Sequence, residues 1–149
     1  MIYVYSDGSS TGRKDRPGGW AYVIVDDKGQ VYQANYGGCM RTTNNIMELT
    51  AAMKGLKAAH ALGLHTIDKI QLVSDSQYVL KLAKAECVPS KNVFLAKQVL
   101  QLAGMTDCDF RWVKGHSKEP WNDRVDRLAK KGKEEWISKE KIFKASKIE

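Results

Sequence analysis

Apolar residues alternate with polar ones over residues 1 to 6 of "MIYVYSDG", which predicts a first strand. "GWAYVIVDDKGQVYQANYGG" reads as two more strands around an Asp-Lys-Gly turn, so the chain opens on a three-stranded antiparallel meander. The period then changes. Leu49, Ala52, Met53 and Leu56 recur at helical spacing and predict a long helix from about 43 to 61, closed near Gly63. "KIQLVSD" is a short buried strand, and residues 76 to 85 form a second helix. Pro89 and Ser90 break the chain before a third helix at roughly 91 to 103. "CDFRWVKG" is a fifth strand. A last helix begins after Pro120, with Val125, Leu128 and Ala129 on one face. The order β-β-β-α-β-α-α-β-α calls for a mixed α/β sheet with helices over its faces.

One position fits this pattern poorly. Glu48 sits one residue from the apolar stripe of the long helix, one turn in, where burial is expected. A capping box or an acid complementing the helix dipole is the ordinary explanation, and Thr43, Asn44 and Asn45 already supply polar caps. Asp7 follows the first strand, Asp75 ends the fourth, and Asp126 lies on the last helix. Taken singly, these are a turn former, an N-cap and a solvated helix acid. In open sheets with helices on their faces, functional groups gather beside strand ends. If strands one and four are neighbours, Asp7 and Asp75 stand together and the helix bearing Glu48 crosses beside them. Four ionised carboxylates would repel one another, and burying them is costly. A pair of Mg²⁺ ions removes that conflict, because they favour hard oxygen ligands and suit in-line phosphoryl displacement.

Composition narrows the partner. The 149 residues carry 24 Lys and Arg against 17 Asp and Glu, a net charge of +7, which favours a polyanion and nucleic acid first. The last twenty residues hold seven Lys and four Glu, and a lysine-rich helical tail is expected over 133–149, beyond a domain spanning 1–132. No apolar run is long enough to span a bilayer, and no secretory signal or membrane partner is expected. Cys39, Cys87 and Cys108 show no metal-ligand spacing and read as reduced thiols of a cytoplasmic protein.

"YSDGSS", "TTNNIMELTAA", "VSDSQYV", "KNV" and "WVKGH…NDRVDRLAKKG" together resemble the successive signature blocks of type 1 ribonuclease H, in order and over almost the whole chain to about residue 132. The resemblance implies the ribonuclease H-like fold, a five-stranded mixed sheet of three antiparallel and two parallel strands flanked by helices. It also implies a metal-dependent endonuclease cutting the RNA strand of RNA–DNA hybrids to 5′-phosphate and 3′-hydroxyl ends. On that resemblance Asp7, Glu48, Asp75 and Asp126 bind two Mg²⁺ ions, for which Mn²⁺ substitutes. In the family the fourth acid stands ten residues after the loop histidine and two before a Leu-Ala pair, a spacing that falls on Asp126 and not on nearby Asp123. His116 corresponds to a loop histidine that assists proton transfer or product departure. Arg41, Thr43 and Asn92 fall where the family holds a DNA phosphate, and Asn44, Asn45 and Gln77 where it faces the minor groove. Gly8 and Ser10 lie in the substrate-contacting segment after Asp7. His60 and His65 have no such context and read as surface residues.

Two departures stand out. The loop "GSSTGRKDRPGG" is more basic than the common bacterial form, so Arg13, Lys14 and Arg16 are expected to help the lysine tail meet phosphates. "KLAKAECVPSKN" leaves no room for the basic protrusion that some members carry. A free-standing, monomeric enzyme is the leading expectation. The alternatives are a ribonuclease H module beside a reverse transcriptase or polymerase, a non-catalytic nucleic-acid binding module, and another nuclease of this fold.

Overall fold

The computed structural model describes residues 1–12 and 16–148, and their side chains through Ala145. Arg13, Lys14 and the Lys147 side chain, all expected to meet phosphates, lie outside the described residues. Strands β1 (Ile2–Ser10), β2 (Arg16–Asp26) and β3 (Val31–Thr42) precede α1 (Asn44–Ala61), and a 3-10 turn at Leu64–Thr66 leads to β4 (Ile70–Ser74). Helices α2 (Gln77–Ala83) and α3 (Val93–Met105), β5 (Asp109–Trp112) and α4 (Pro120–Ile148) complete the chain. The sheet order is β3-β2-β1-β4-β5. β1 and β3 run antiparallel to β2, while β4 is parallel to β1 and β5.

Central strands in such a sheet are covered on both faces, and their side chains sort by parity. Ile2 and Val4 of β1 join Tyr22, Ile24, Ile70 and Leu72 under Leu49 and Leu56 of α1. Tyr5 joins Val23, Val25 and Val73 on the opposite face, under Val125 and Ala129 of α4. The two clusters explain why β1 is buried along most of its length instead of alternating. They also correct its expected end. β1 continues four residues past Ser6, so Asp7 lies within the strand, paired with Ala21, instead of following it.

α4 crosses close over β2 and β3. A Cβ on Gly19 would collide with the Ala129 carbonyl, so a glycine is required there for the helix to approach. α4 continues without a break through residue 132, and the Trp136 ring edge packs on Gly38. The expected tail is therefore the second half of one helix, on which Ile142 and Phe143 are exposed. Nine residues connect α2 to α3 without a helix, as the short "KLAKAECVPSKN" segment requires. His60 and His65 are half-buried and stacked at 4.6 Å between ring centroids, instead of lying free on the surface. Among the described residues, no helix is long and apolar enough to cross a membrane.

Candidate active site

The last matched pair of β1 and β4 is Tyr5 with Val73. Asp7 and Asp75 each lie two residues beyond it, level with one another where β4 has ended and β1 runs on. Gly8 is the next residue on β1, and its parity turns it toward α1. A Cβ there would run into the backbone of Met47 and Glu48. Because Gly8 has none, α1 closes onto the strand and delivers its acid. The Gly8 N–H donates to Asp7 Oδ1 at 2.9 Å and to Glu48 Oε1 at 3.1 Å. Carboxylate oxygens of Asp7, Glu48 and Asp75 all come within 4.8 Å of one another.

Asp7 is 2% and Glu48 5% exposed, so neither carboxylate is screened by bulk water. Burial, then the charge of Glu48, pushes Asp7 well above the usual carboxylate range. Burial also raises Glu48, against the hydrogen bonds from Asp7 and Gly8 that favour its ionised form. Asp75 is raised by burial and then by the charge of Asp126. A single N–H of Gly8, shared between two carboxylates, cannot compensate this much buried acid. Glu48 Oε2 is buried with no partner among the described residues. A buried, unpartnered carboxylate oxygen in a cluster of three acids suits a hard divalent cation, so the donor set fits one.

α4 brings the fourth acid. Asp126 lines a small cavity with Asp75, His116, Ser117, Asn122 and Asp123, and its Oδ2 accepts from Lys130 Nζ at 2.9 Å. Asp123 borders the same cavity, but its carboxylate is turned to Arg127 at 2.6 Å. His116 is exposed and holds φ at 58°, a left-handed conformation in which histidine is among the more tolerated residues. Two side chains on this face were not singled out from the sequence. Asn122 and Lys130 stand four residues either side of Asp126, so helical spacing alone puts all three on one face. Asn122 is 2% exposed, and its Oδ1 has no partner among the described residues.

The remaining predicted residues lie at three helix starts and on strands β1 and β3. Thr43 is the N-cap of α1 and accepts from the Ile46 amide at 3.3 Å, leaving Asn44 and Asn45 exposed in the first turn. Gln77 opens α2 after the N-cap Ser76, and is exposed. Asn92 precedes α3 with φ at 55° and makes no capping hydrogen bond. Arg41 is exposed near the end of β3, while Ser10 ends β1 and accepts from the Gly12 amide. Gly8 lies inside the acid cluster.

The family model of RNase H matches residues 1–134. A ribonuclease H of Lachnoclostridium phytofermentans is 37% identical over 145 residues, covering 86% of this chain and 89% of its own. One from Methylococcus capsulatus is 34% identical, covering 95% and 94%. Among solved structures, the N-terminal ribonuclease H domain of a Mycobacterium tuberculosis protein superimposes with a TM-score of 0.80 at 22% identity, covering 93% of this chain and 96% of that one. The LC11 ribonuclease H1, solved in complex with an RNA/DNA hybrid, gives 0.74 at 20% identity, covering 92% and 99%. A match along nine-tenths of the sequence, on a fold that brings together Asp7, Glu48 and Asp75, makes this chain a member of the type 1 ribonuclease H family.

Proposed function

We propose that the protein hydrolyses the RNA strand of RNA–DNA hybrids endonucleolytically, leaving 5′-phosphate and 3′-hydroxyl ends, with two Mg²⁺ ions held by Asp7, Glu48, Asp75 and Asp126. The observation that carries this reading is the Asp7–Glu48–Asp75 cluster, in which Asp7 and Glu48 are buried and Glu48 Oε2 lacks a partner among the described residues. Bound there, the ions supply an activated water and offset charge developing on the scissile phosphate. The chain's own residues do the rest. Gly8 orients the Asp7 and Glu48 carboxylates through one shared N–H. The His116 imidazole, exposed beside Asp75 and Asp126, exchanges a proton with the departing 3′ oxygen. Thr43 Oγ1 accepts from Ile46, so its hydroxyl hydrogen is free to donate to a phosphate oxygen alongside Arg41 and Asn92. Asn44, Asn45 and Gln77 present amides to the minor groove, where a bond to the 2′-hydroxyl distinguishes RNA from DNA. The protein acts as a monomer in the cytoplasm, a setting its three unpaired cysteines suit.

The test is incubation with end-labelled RNA–DNA hybrid, with Mg²⁺, with Mn²⁺ and with neither, beside duplex RNA and duplex DNA. Cleavage confined to the RNA of the hybrid and dependent on the cation is expected. Absent cleavage, or equal cleavage of all three duplexes, would overturn the reading.

A further inference from the structure

α4 starts in an unusual way. Pro120 takes its first position, where a missing N–H costs nothing, and this puts a glutamate at the N-cap. Short Ser, Thr, Asp and Asn side chains are preferred there because they reach the first-turn amides with few rotatable bonds. Glu119 nonetheless caps the helix. Its Oε2 accepts from the Asn122 amide at 2.6 Å, and its backbone carbonyl from the Asp123 amide at 3.0 Å. A longer, looser side chain needs outside help to hold that pose.

The help comes from the sheet. Tyr5 donates its hydroxyl hydrogen to Glu119 Oε1 at 3.3 Å, leaving Oε2 for the helix. Arg111 donates from its Nη2 to the Tyr5 oxygen at 3.0 Å and from Nε to Gln71 Oε1 at 3.0 Å, so the Tyr5 proton is directed away, toward Glu119. Tyr5 is 3% exposed and packs 6.5 Å from the Trp121 ring, and so cannot swing out. Each of Tyr5, Arg111 and Glu119 lies on, or directly leads into, a segment that carries a candidate site residue. Tyr5 is two residues before Asp7 on β1, and Arg111 lies on the strand leading to the His116 loop. Glu119 ends that loop and opens the helix bearing Asn122 and Asp126.

We propose that Tyr5 is a positioning residue: by clamping Glu119, it locks the first turn of α4 against β1 and thereby sets Asp126 at the correct distance from Asp7 for cation binding. The clamp rests on the metal-ligand role given above to these acids, and extends it to residues that touch neither cation nor substrate.

The experiment uses the full chain carrying Tyr5→Phe, Glu119→Gln, Glu119→Ala and the Tyr5→Phe/Glu119→Ala pair. Mn²⁺ affinity is measured by calorimetry without substrate, kcat and KM on the hybrid, and Tm. Tyr5→Phe removes only the hydroxyl. It should weaken Mn²⁺ binding and lower kcat by about two- to tenfold, the range one hydrogen bond allows, with KM for the hybrid unchanged. Glu119→Gln keeps an acceptor for Asn122 and should lose less than Glu119→Ala, and the double variant should lose no more than Glu119→Ala alone. A lower Tm with unchanged Mn²⁺ affinity would make Tyr5 merely structural and overturn the proposal, as would additive losses. If Glu119→Ala does not fold, Tyr5→Phe combined with Glu119→Gln decides on the same criterion. Should the wild type bind Mn²⁺ in a Tyr5-dependent way but leave the hybrid intact, the hydrolytic reading fails while the clamp stands.

Discussion

The Gly8 amide donates to Glu48 Oε1 at 3.1 Å, and the space a side chain at Gly8 would need is filled by the backbone that carries Glu48. Strand and helix are thus held in contact at the one point where buried carboxylates meet. Gly8→Ala should destabilise the fold by about 1–3 kcal/mol, because overpacking here meets backbone and not a flexible side chain. It should also weaken cation binding, since α1 must back away. A variant that melts and binds Mn²⁺ like the wild type would show that the contact tolerates displacement.

The acid cluster carries a stability cost that a cation relieves. Asp7, Glu48 and Asp75 have folded pKa values raised above their unfolded ones, so the folded protein holds more protons. Their contribution is most favourable in acid and is lost as pH rises through the raised values. In chelator, Asp7→Asn should therefore raise Tm at neutral pH and flatten its fall on going to alkaline pH, by about 2–4 °C for each kcal/mol of repulsion removed. Mg²⁺ should raise the Tm of the wild type and not that of Asp7→Asn. Equal melting of the two proteins in chelator would contradict a repulsive cluster.

Asp126 and Asp123 separate cleanly. Asp126→Asn should cut kcat by about a thousandfold, whereas Asp123→Asn, which loses only an exposed i,i+4 pair with Arg127, should stay within about threefold. Steady-state rates on the hybrid check both. The reverse order would mean that the register on α4 is shifted by three residues.

His116→Ala should slow turnover by about ten- to a hundredfold, the loss of a proton carrier, without the collapse that removal of a ligand brings. Mn²⁺ affinity measured by calorimetry should remain that of the wild type. Weakened binding would make His116 part of the cation site.

Truncations divide the two halves of the long helix. Ending the chain at Gly132 removes Trp136 from its seat on Gly38, and should lower Tm. Ending it at Lys141 keeps Trp136 in place and removes the more exposed Ile142 and Phe143, and should lower Tm less than ending at Gly132. If the distal lysines guide the hybrid, the shorter chain also loses slope in log affinity against log salt, about 0.9 for each phosphate contact given up. An unaltered slope takes the tail out of the binding surface.

The four acids were legible because each stands in a word whose surroundings restrict its role: Asp7 before Gly8, Glu48 beside an apolar stripe, Asp75 at a strand end, Asp126 ten residues after His116. Element order was equally legible, since the change from period two to period 3.6 is local. Two readings needed the tertiary structure. The end of β1 was misplaced because Asp7 and Ser9 are polar, and pattern alone cannot tell a turn from a strand that runs between two helices. How the lysine-rich tail meets the domain also needed the structure, because the contact involved, Trp136 on Gly38, spans almost a hundred residues of chain. The Tyr5–Glu119 clamp was invisible for the same reason: its partners are 114 residues apart, and only the tertiary packing of α4 on the sheet brings them together. Local chemistry is written in the sequence because neighbouring residues constrain one another's backbone. Distances between elements are not, because they are decided by which faces pack.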